Sequence, residues 1–342
     1  MTSKEYIMSL TANLQPKLRY DYKEDFFAWQ KRAKEKLEEL LGLPLVKPDE
    51  DKFAAKEPVI KDDLLYVHFT FQSEEGYEVP CCLVKKADLN EKAPLVICLQ
   101  GHSTGMHISL GEERYERDRE IVKGGRAFAL DAAREGAVAI TIEQRYMGIQ
   151  GYKDMRGRPA CIAASEDMDA NQAIPTLLIG RTAIGERVWD VSRTIDVALK
   201  YFTDMIDEAK IVCMGNSAGG TATFYAACME ERIHLAVPSC AVCTFEDSIM
   251  AINHCICNYI PNIRKYFDMG DLAGLIAPRK LLVVCGDKDP IFPLEGVEKS
   301  FEVIQKAYVQ AGVKERCKLL VGDGGHQFFP KQAWPLIHEY ID

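Results

Sequence analysis

Six short apolar runs dominate the texture of this chain: LVICL (95–99), AVAIT (137–141), KIVCM (210–214), HLAVP (234–238), KLLVVC (280–285) and CKLLV (317–321). A strand apolar on both sides must be covered on both sides, which calls for a parallel sheet with helices on each face. Helical spacing fills the gaps between the runs, notably in RTAIGERVWDVSRTIDVALKYF (181–202), TATFYAACMEE (221–231) and FEVIQKAYVQAG, which ends on Gly312. Upstream, LLYVHFTFQS (64–73) and YEVPCCLVK (77–85) flank Glu74-Glu75-Gly76 and read as an antiparallel hairpin. Six runs and one hairpin predict an α/β fold with a mostly parallel, eight-stranded sheet.

Residues 1–56 read as a helical N-terminal extension and residues 57–342 as one catalytic domain. Within the extension, DFFAWQKRAKEKLEELLG gathers Phe26, Phe27, Trp29, Ala33, Leu37, Leu40 and Leu41 towards one helix face, with Gly42 and Pro44 as the stop. Two connections, 142–180 and 239–275, exceed what a crossover needs. The second carries Cys255, Cys257, Tyr259, Tyr266 and Phe267, a composition that suits either an apolar lid or a peripheral packing element.

Charge excludes one class of partner. The 42 Lys and Arg against 51 Asp and Glu leave a formal charge of -9, which repels a nucleic-acid backbone. Many of the 12 cysteines, such as Cys98, Cys213 and Cys285, sit inside apolar runs, where a reduced thiol packs as a small hydrophobe. Cys81-Cys82 and Cys255-Ile256-Cys257 lack the paired CxxC spacing of a structural zinc site, so no metal is expected. The first residues, MTSKEYIMSL, lack an apolar signal region and no stretch reaches membrane-spanning length, so the expected location is cytoplasmic.

The chemistry points to Gly215-Asn216-Ser217-Ala218-Gly219. Such a GxSxG string occurs by chance about 0.1 times in a chain this long, so its setting decides. Here it follows the KIVCM run and opens a helix, the strand-turn-helix placement of a nucleophile elbow, where small neighbours allow a sharp turn. A serine nucleophile needs a base and an acid that orients the base. Asp287 and Asp289 follow the KLLVVC run, and His326 follows CKLLV in Gly322-Asp323-Gly324-Gly325-His326. The serine, acid and histidine thus occur in the order of the fold, each at a strand's C-terminal end. An oxyanion hole would use the main-chain N–H groups of Ala218 and of His102, in the Gln100-Gly101-His102-Ser103 loop. Gln100, Asn216 and Arg145 are candidate substrate contacts, Arg145 alternatively pairing with an acid such as Glu143. Asp190 and Arg193 are spaced to pair along one helix. His254 is the one other histidine placed to join the chemistry.

From about residue 60 onward, the elbow, acid loop, histidine loop and QGH loop resemble the α/β-hydrolase superfamily. Asp289, three residues after Gly286 and four before Pro293, is similar to that fold's acid, leaving Asp287 to brace the loop. The N-terminal extension, the LQGHSTG loop and RTAIGERVWDVSRTIDVAL resemble the acetyl-xylan-esterase-like and dienelactone-hydrolase-like branch. Two departures stand out: Gln100 where many relatives carry the first histidine of His-Gly-His, and Ser217 where dienelactone hydrolases use cysteine. The resemblance implies a cofactor-free serine esterase acting on small-molecule or oligosaccharide esters with a short, acetyl-like acyl group. A serine peptidase of the same fold and a non-catalytic binding protein are the rivals. Epoxide hydrolases and dehalogenases, with Asp at the elbow, are disfavoured by Ser217.

Overall fold

A computed structural model of the chain describes residues 1–12, 14–150 and 168–341. Ten strands form one mixed sheet: β1 (Ala54–Ala55), β2 (Val59–Lys61), β3 (Leu64–Glu74), β4 (Tyr77–Lys86), β5 (Ala93–Leu99), β6 (Val138–Ile142), β7 (Ile206–Asn216), β8 (Leu235–Ser239), β9 (Lys280–Gly286) and β10 (Cys317–Gly322). Their order is β1-β3-β4-β6-β5-β7-β8-β9-β10, with β2 paired to β3. All pairings among β5 to β10 are parallel, whereas β3 and β4 form the expected hairpin and β4 runs antiparallel to β6. The eight predicted strands are therefore present. Two more, β1 and β2, pair with β3 at Ala54↔Thr70 and Val59↔Tyr66. Both are exposed and at most three residues long, too short to show an alternating pattern in sequence.

The apolar runs alternate between two cores, as a pleated strand requires. Leu95, Ile97, Leu99, Ile211, Cys213, Leu281, Val283 and Cys285 face one cluster, which the helices Phe26–Leu41, Ala183–Tyr201, Ala218–Met229 and Leu294–Gln310 cover. Val96, Cys98, Val212, Met214, Leu282 and Val284 face the other, covered by Phe128–Arg134 and Pro330–Ile341. Burial on both faces explains why these strands read as continuous rather than alternating runs.

The N-terminal region contributes to the first of these cores. Asp25 caps the Phe26–Leu41 helix by accepting the Ala28 N–H at 2.8 Å, and Gly42 ends it at φ 74°. Phe26, Trp29, Ala33, Leu37 and Leu41, spaced by three or four residues, are buried against the sheet cluster. Phe27 falls off that spacing and is exposed, contrary to its expected place on the inner face. In the 239–275 connection, Phe267 and Leu272 are wholly buried in the same cluster, so this part packs as core, while Tyr259 stays exposed. Residues 151–167 of the 142–180 connection lie outside the described residues. Among the described residues, every cysteine is a free thiol and no helix is long and apolar enough to cross a membrane.

Candidate active site

Parallel strands send all their C-terminal ends to one edge, and the site residues leave from there. At the end of β7 the backbone turns sharply into the Ala218–Met229 helix, with Ser217 at φ 56° and ψ −125°. Such a conformation is costly for a residue with a Cβ and persists only when the surroundings enforce it. Here the Ser217 N–H donates to the Ser239 carbonyl at 2.9 Å, and the Thr221 N–H donates to the Ser217 carbonyl at 2.8 Å. The turn also presses the helix against β5. A Cβ on Gly219 would lie 2.1 Å from the Leu99 carbonyl oxygen, so that position admits only glycine.

Asp289 and His326 follow β9 and β10, which run in parallel register with Gly322 opposite Gly286. His326 Nδ1 lies 2.8 Å from Asp289 Oδ2. The other oxygen, Oδ1, accepts the main-chain N–H groups of Ile291 at 2.8 Å and Phe292 at 3.2 Å. Burial pushes the Asp289 carboxyl up, but the His326 hydrogen bond and charge and the two amides outweigh it and hold the group below the usual carboxylate range. His326 is further fixed by the Phe292 ring, stacked at 6.0 Å, and by Arg126, which donates to its carbonyl at 2.7 Å. Its Nε2 is buried, with no hydrogen-bond partner among the described residues. Asp287 points elsewhere: its Oδ1 accepts the Gly324 N–H at 2.8 Å, tying the acid loop to the histidine loop.

Cys240 joins this group without having been anticipated. It follows β8 at φ 47°, its N–H donates to the Val284 carbonyl at 2.8 Å, and its thiol donates to the Gln327 carbonyl at 3.3 Å. Its Sγ, an Asp289 oxygen and a His326 nitrogen all lie within 4.8 Å of one another. Burial, and then the Asp289 charge, push this thiol up to about 12, so it is neutral beside the pair. A single cysteine closing an apolar run reads in sequence as one more core thiol.

The loop after β5 comes directly against the nucleophile. A Cβ on Gly101 would lie 3.1 Å from Ser217 Cβ and 2.8 Å from the Asn216 carbonyl oxygen, so glycine is what lets His102 approach the elbow. Gln100 and Asn216 are both fully buried under the site. Asn216 Oδ1 accepts the Ser239 hydroxyl at 2.9 Å, and Gln100 Nε2 reaches Glu143 Oε1 at 3.3 Å. Glu143 also accepts the Met106 N–H at 3.0 Å, bracing the same loop from behind. Its desolvation outweighs these bonds and pushes the carboxyl up to about 8, so it sits there protonated at neutral pH.

Arg145 does not face the site. It is buried, its Nε and Nη2 fork onto Asp190 at 2.7 and 2.8 Å, its Nη1 meets Glu74 at 2.7 Å, and its plane lies 4.0 Å over the Tyr77 ring. The expected partner Glu143 is not among these acids, and the candidate substrate contact is instead a buried ion pair joining β3 to the Ala183–Tyr201 helix. The expected Asp190–Arg193 pair is likewise replaced. Arg193, itself buried, reaches Asp51 at 2.6 Å and Asp196 instead. His254 lies one ring away from the pair, 5.9 Å from the Phe292 ring that stacks on His326.

A serine strained between the third strand of a parallel run and a helix, with an Asp–His pair leaving strands on the same edge, is the arrangement of an α/β hydrolase. The comparisons agree. The chain belongs to the Abhydrolase family, whose model matches residues 2–321. A curated Bacillus subtilis (strain 168) protein named "Putative hydrolase YtaP" is 27% identical over 179 residues, which cover 52% of this chain and 56% of that protein. The chain thus matches little more than half the length of this relative. Among solved structures, a "putative acetyl xylan esterase" from Bacteroides fragilis NCTC 9343 superposes with a TM-score of 0.80 at 14% identity, covering 99% of this chain and 95% of that one. A glucuronoyl esterase from Solibacter usitatus superposes at 0.67 and 14% identity, covering 96% and 98%.

Proposed function

We propose that the protein is a serine carboxylic-ester hydrolase acting on short-acyl esters, with sugars or other small polyols as the alcohol. The observation that carries this reading is the Asp289–His326 hydrogen bond of 2.8 Å, together with the buried His326 Nε2, unpartnered among the described residues, on the same sheet edge as Ser217. With Nδ1 hydrogen-bonded to the carboxylate, the proton is held there and the Nε2 lone pair is left to act as base. In the proposed cycle His326 Nε2 takes the Ser217 hydroxyl proton as Oγ attacks the ester carbonyl. The N–H groups of Ala218 and His102 stabilise the oxyanion, and His326 returns the proton to the departing alcohol. Water, activated by the same histidine, then releases the acid. The solved structures named as acetyl xylan and glucuronoyl esterases support an ester of a carbohydrate as substrate. Glu143, neutral and bonded behind the His102 loop, holds that loop in place without adding a negative charge near the oxyanion.

The test combines a fluorophosphonate probe, mapping of the adduct, and turnover of acetyl, longer-acyl, uronate-ester and peptide substrates by the wild type and Ser217→Ala. We expect an adduct at Ser217, acetyl esters preferred, and activity lost in the variant. No adduct at Ser217 would overturn the mechanism, and preferred peptide cleavage would overturn the substrate class.

A further inference from the structure

A second constellation lies beside the elbow, and its side chains play no part in the hydrolytic scheme, which uses only the main-chain N–H of His102. His102 and the pair Cys255 and Cys257 each offer a ligand atom, and the three atoms lie within 4.8 Å of one another. His102 Nε2 stands 3.5 Å from Cys257 Sγ. A tetrahedral zinc ion with Zn–S of about 2.3 Å and Zn–N of about 2.05 Å separates a sulfur and a nitrogen ligand by about 3.6 Å and two sulfurs by about 3.8 Å. His102 and Cys257 are thus spaced nearly as they would be around such an ion, with Cys255 within 4.8 Å of both. We propose that His102, Cys255 and Cys257 form a binding site for a soft divalent cation of the zinc type, clamping the 254–258 turn to the loop after β5.

Three further features fit a cation site better than chance packing. His102 and Cys255 are half-buried while Cys257 is buried, so an ion has access from one side and shelter on the other. Asn258 supports the inner ligand: its Nδ2 donates to Cys257 Sγ at 3.5 Å and its Oδ1 accepts the Thr221 hydroxyl at 3.0 Å, which orients the sulfur from the nucleophile's own helix. The Cys257 N–H donates to Cys255 Sγ at 3.5 Å, which folds the two cysteines into one tight turn. Two thiolates offset a divalent ion, and three protein ligands leave the fourth position to water. The rival set, Cys240 with Asp289 and His326, offers only one sulfur, and that thiol is pushed up to about 12 and so gives up its proton reluctantly.

The full chain, reduced and free of metal, would be titrated with cobalt(II) under anaerobic conditions and then challenged with zinc in competition with a chromophoric chelator. We expect one cobalt per chain with thiolate-to-cobalt charge-transfer absorption and tetrahedral d–d bands, displaced by one zinc. Cys255→Ser and Cys257→Ser should each weaken binding by more than the roughly 100-fold that loss of a mere supporting group costs. Cys240→Ser should leave the charge-transfer band in place. Circular dichroism confirms folding, and the half-buried Cys255 provides the gentler of the two substitutions. Absence of the band in the wild type overturns the proposal, as does a band that survives Cys255→Ser but vanishes in Cys240→Ser. The readout is metal binding alone, so it stands or falls separately from ester hydrolysis.

Discussion

Two aspartates two positions apart in sequence, Asp287 and Asp289, separate sharply once their partners are considered, and replacing each by Asn turns that separation into a measurement. At Asp289 the loss is chemical. Its carboxylate holds the proton on His326 Nδ1, and an amide in its place can present an N–H to that nitrogen, favouring the tautomer with hydrogen on Nε2. The imidazole would then aim a proton, not a lone pair, at Ser217. Replacing the buried Asp of a Ser-His-Asp triad by Asn costs on the order of 10⁴ in kcat, or about 5 kcal/mol of transition-state stabilisation. At Asp287 the acceptor oxygen survives, because an Asn carbonyl can still take the Gly324 N–H. What disappears is the charge assistance of one half-exposed hydrogen bond and a screened ion pair with the exposed Lys288 at 3.9 Å, together worth about 1 kcal/mol and felt as stability rather than turnover. The assay is kcat/KM for a short-acyl chromogenic ester across pH, with thermal unfolding measured alongside. Asp289→Asn should lose activity by orders of magnitude and shift the pH dependence, while Asp287→Asn should stay within about tenfold of the wild type. Equal, modest losses at both positions would refute the assignment, and a larger loss at Asp287 would reverse it.

Two other substitutions test the supports of the site. Glu143 titrates near 8 in the folded chain against an ordinary 4.5, so the native state holds the extra proton between these values. Wild-type stability should therefore fall as pH rises from about 4.5 to 8, by at most about 1.4 kcal/mol per unit, and level off above. Glu143→Gln should flatten that slope and gain on the wild type towards pH 8; parallel pH–stability curves from chemical denaturation would sink the idea. Arg145→Met strands the buried Asp190 and Glu74 and should cost about 3–5 kcal/mol in denaturant unfolding, with kcat/KM of the folded enzyme retained. A large loss in kcat/KM at unchanged stability would instead make Arg145 a substrate contact.

Some features were legible in sequence because they are local. The six runs around Val96, Ile140, Val212, Val237, Val283 and Leu319 announced buried strands through composition alone, and all six lie in the sheet. The strand-end positions of Ser217, Asp289 and His326 followed with them, since a parallel sheet gathers its C-terminal ends on one edge whatever the loops do. β1 and β2 escaped notice because a two- or three-residue pairing has no period to detect. The partners of charged side chains were illegible for a different reason. Glu143 and Arg145 are two residues apart on one loop, which suggests a pair, yet one faces the Gln100 loop and the other faces Asp190, 45 residues away. Local spacing proposes an ion pair, but the direction in which each side chain leaves the strand end selects it.

The cysteines carry the same lesson further. Sequence reasoning looks for metal ligands in short, paired spacings, and by that standard Cys255-Ile256-Cys257 offers nothing. Its third member, His102, lies 155 positions upstream of Cys257 and reaches it only because the loop after β5 and the turn at 254–258 converge beside the elbow. Convergence of this kind is what the strand order imposes: β5 and β7 are neighbours, so the residues that follow them share one patch of surface, joined there by whatever the β8–β9 connection folds over. The same geometry that gathers Ser217, Asp289 and His326 from three distant strand ends onto one edge will bring other reactive side chains together at its margin. Cys240 beside Asp289, and His102 beside Cys257, are two instances among the described residues, and of these the second combines two sulfurs with an imidazole within 4.8 Å of one another.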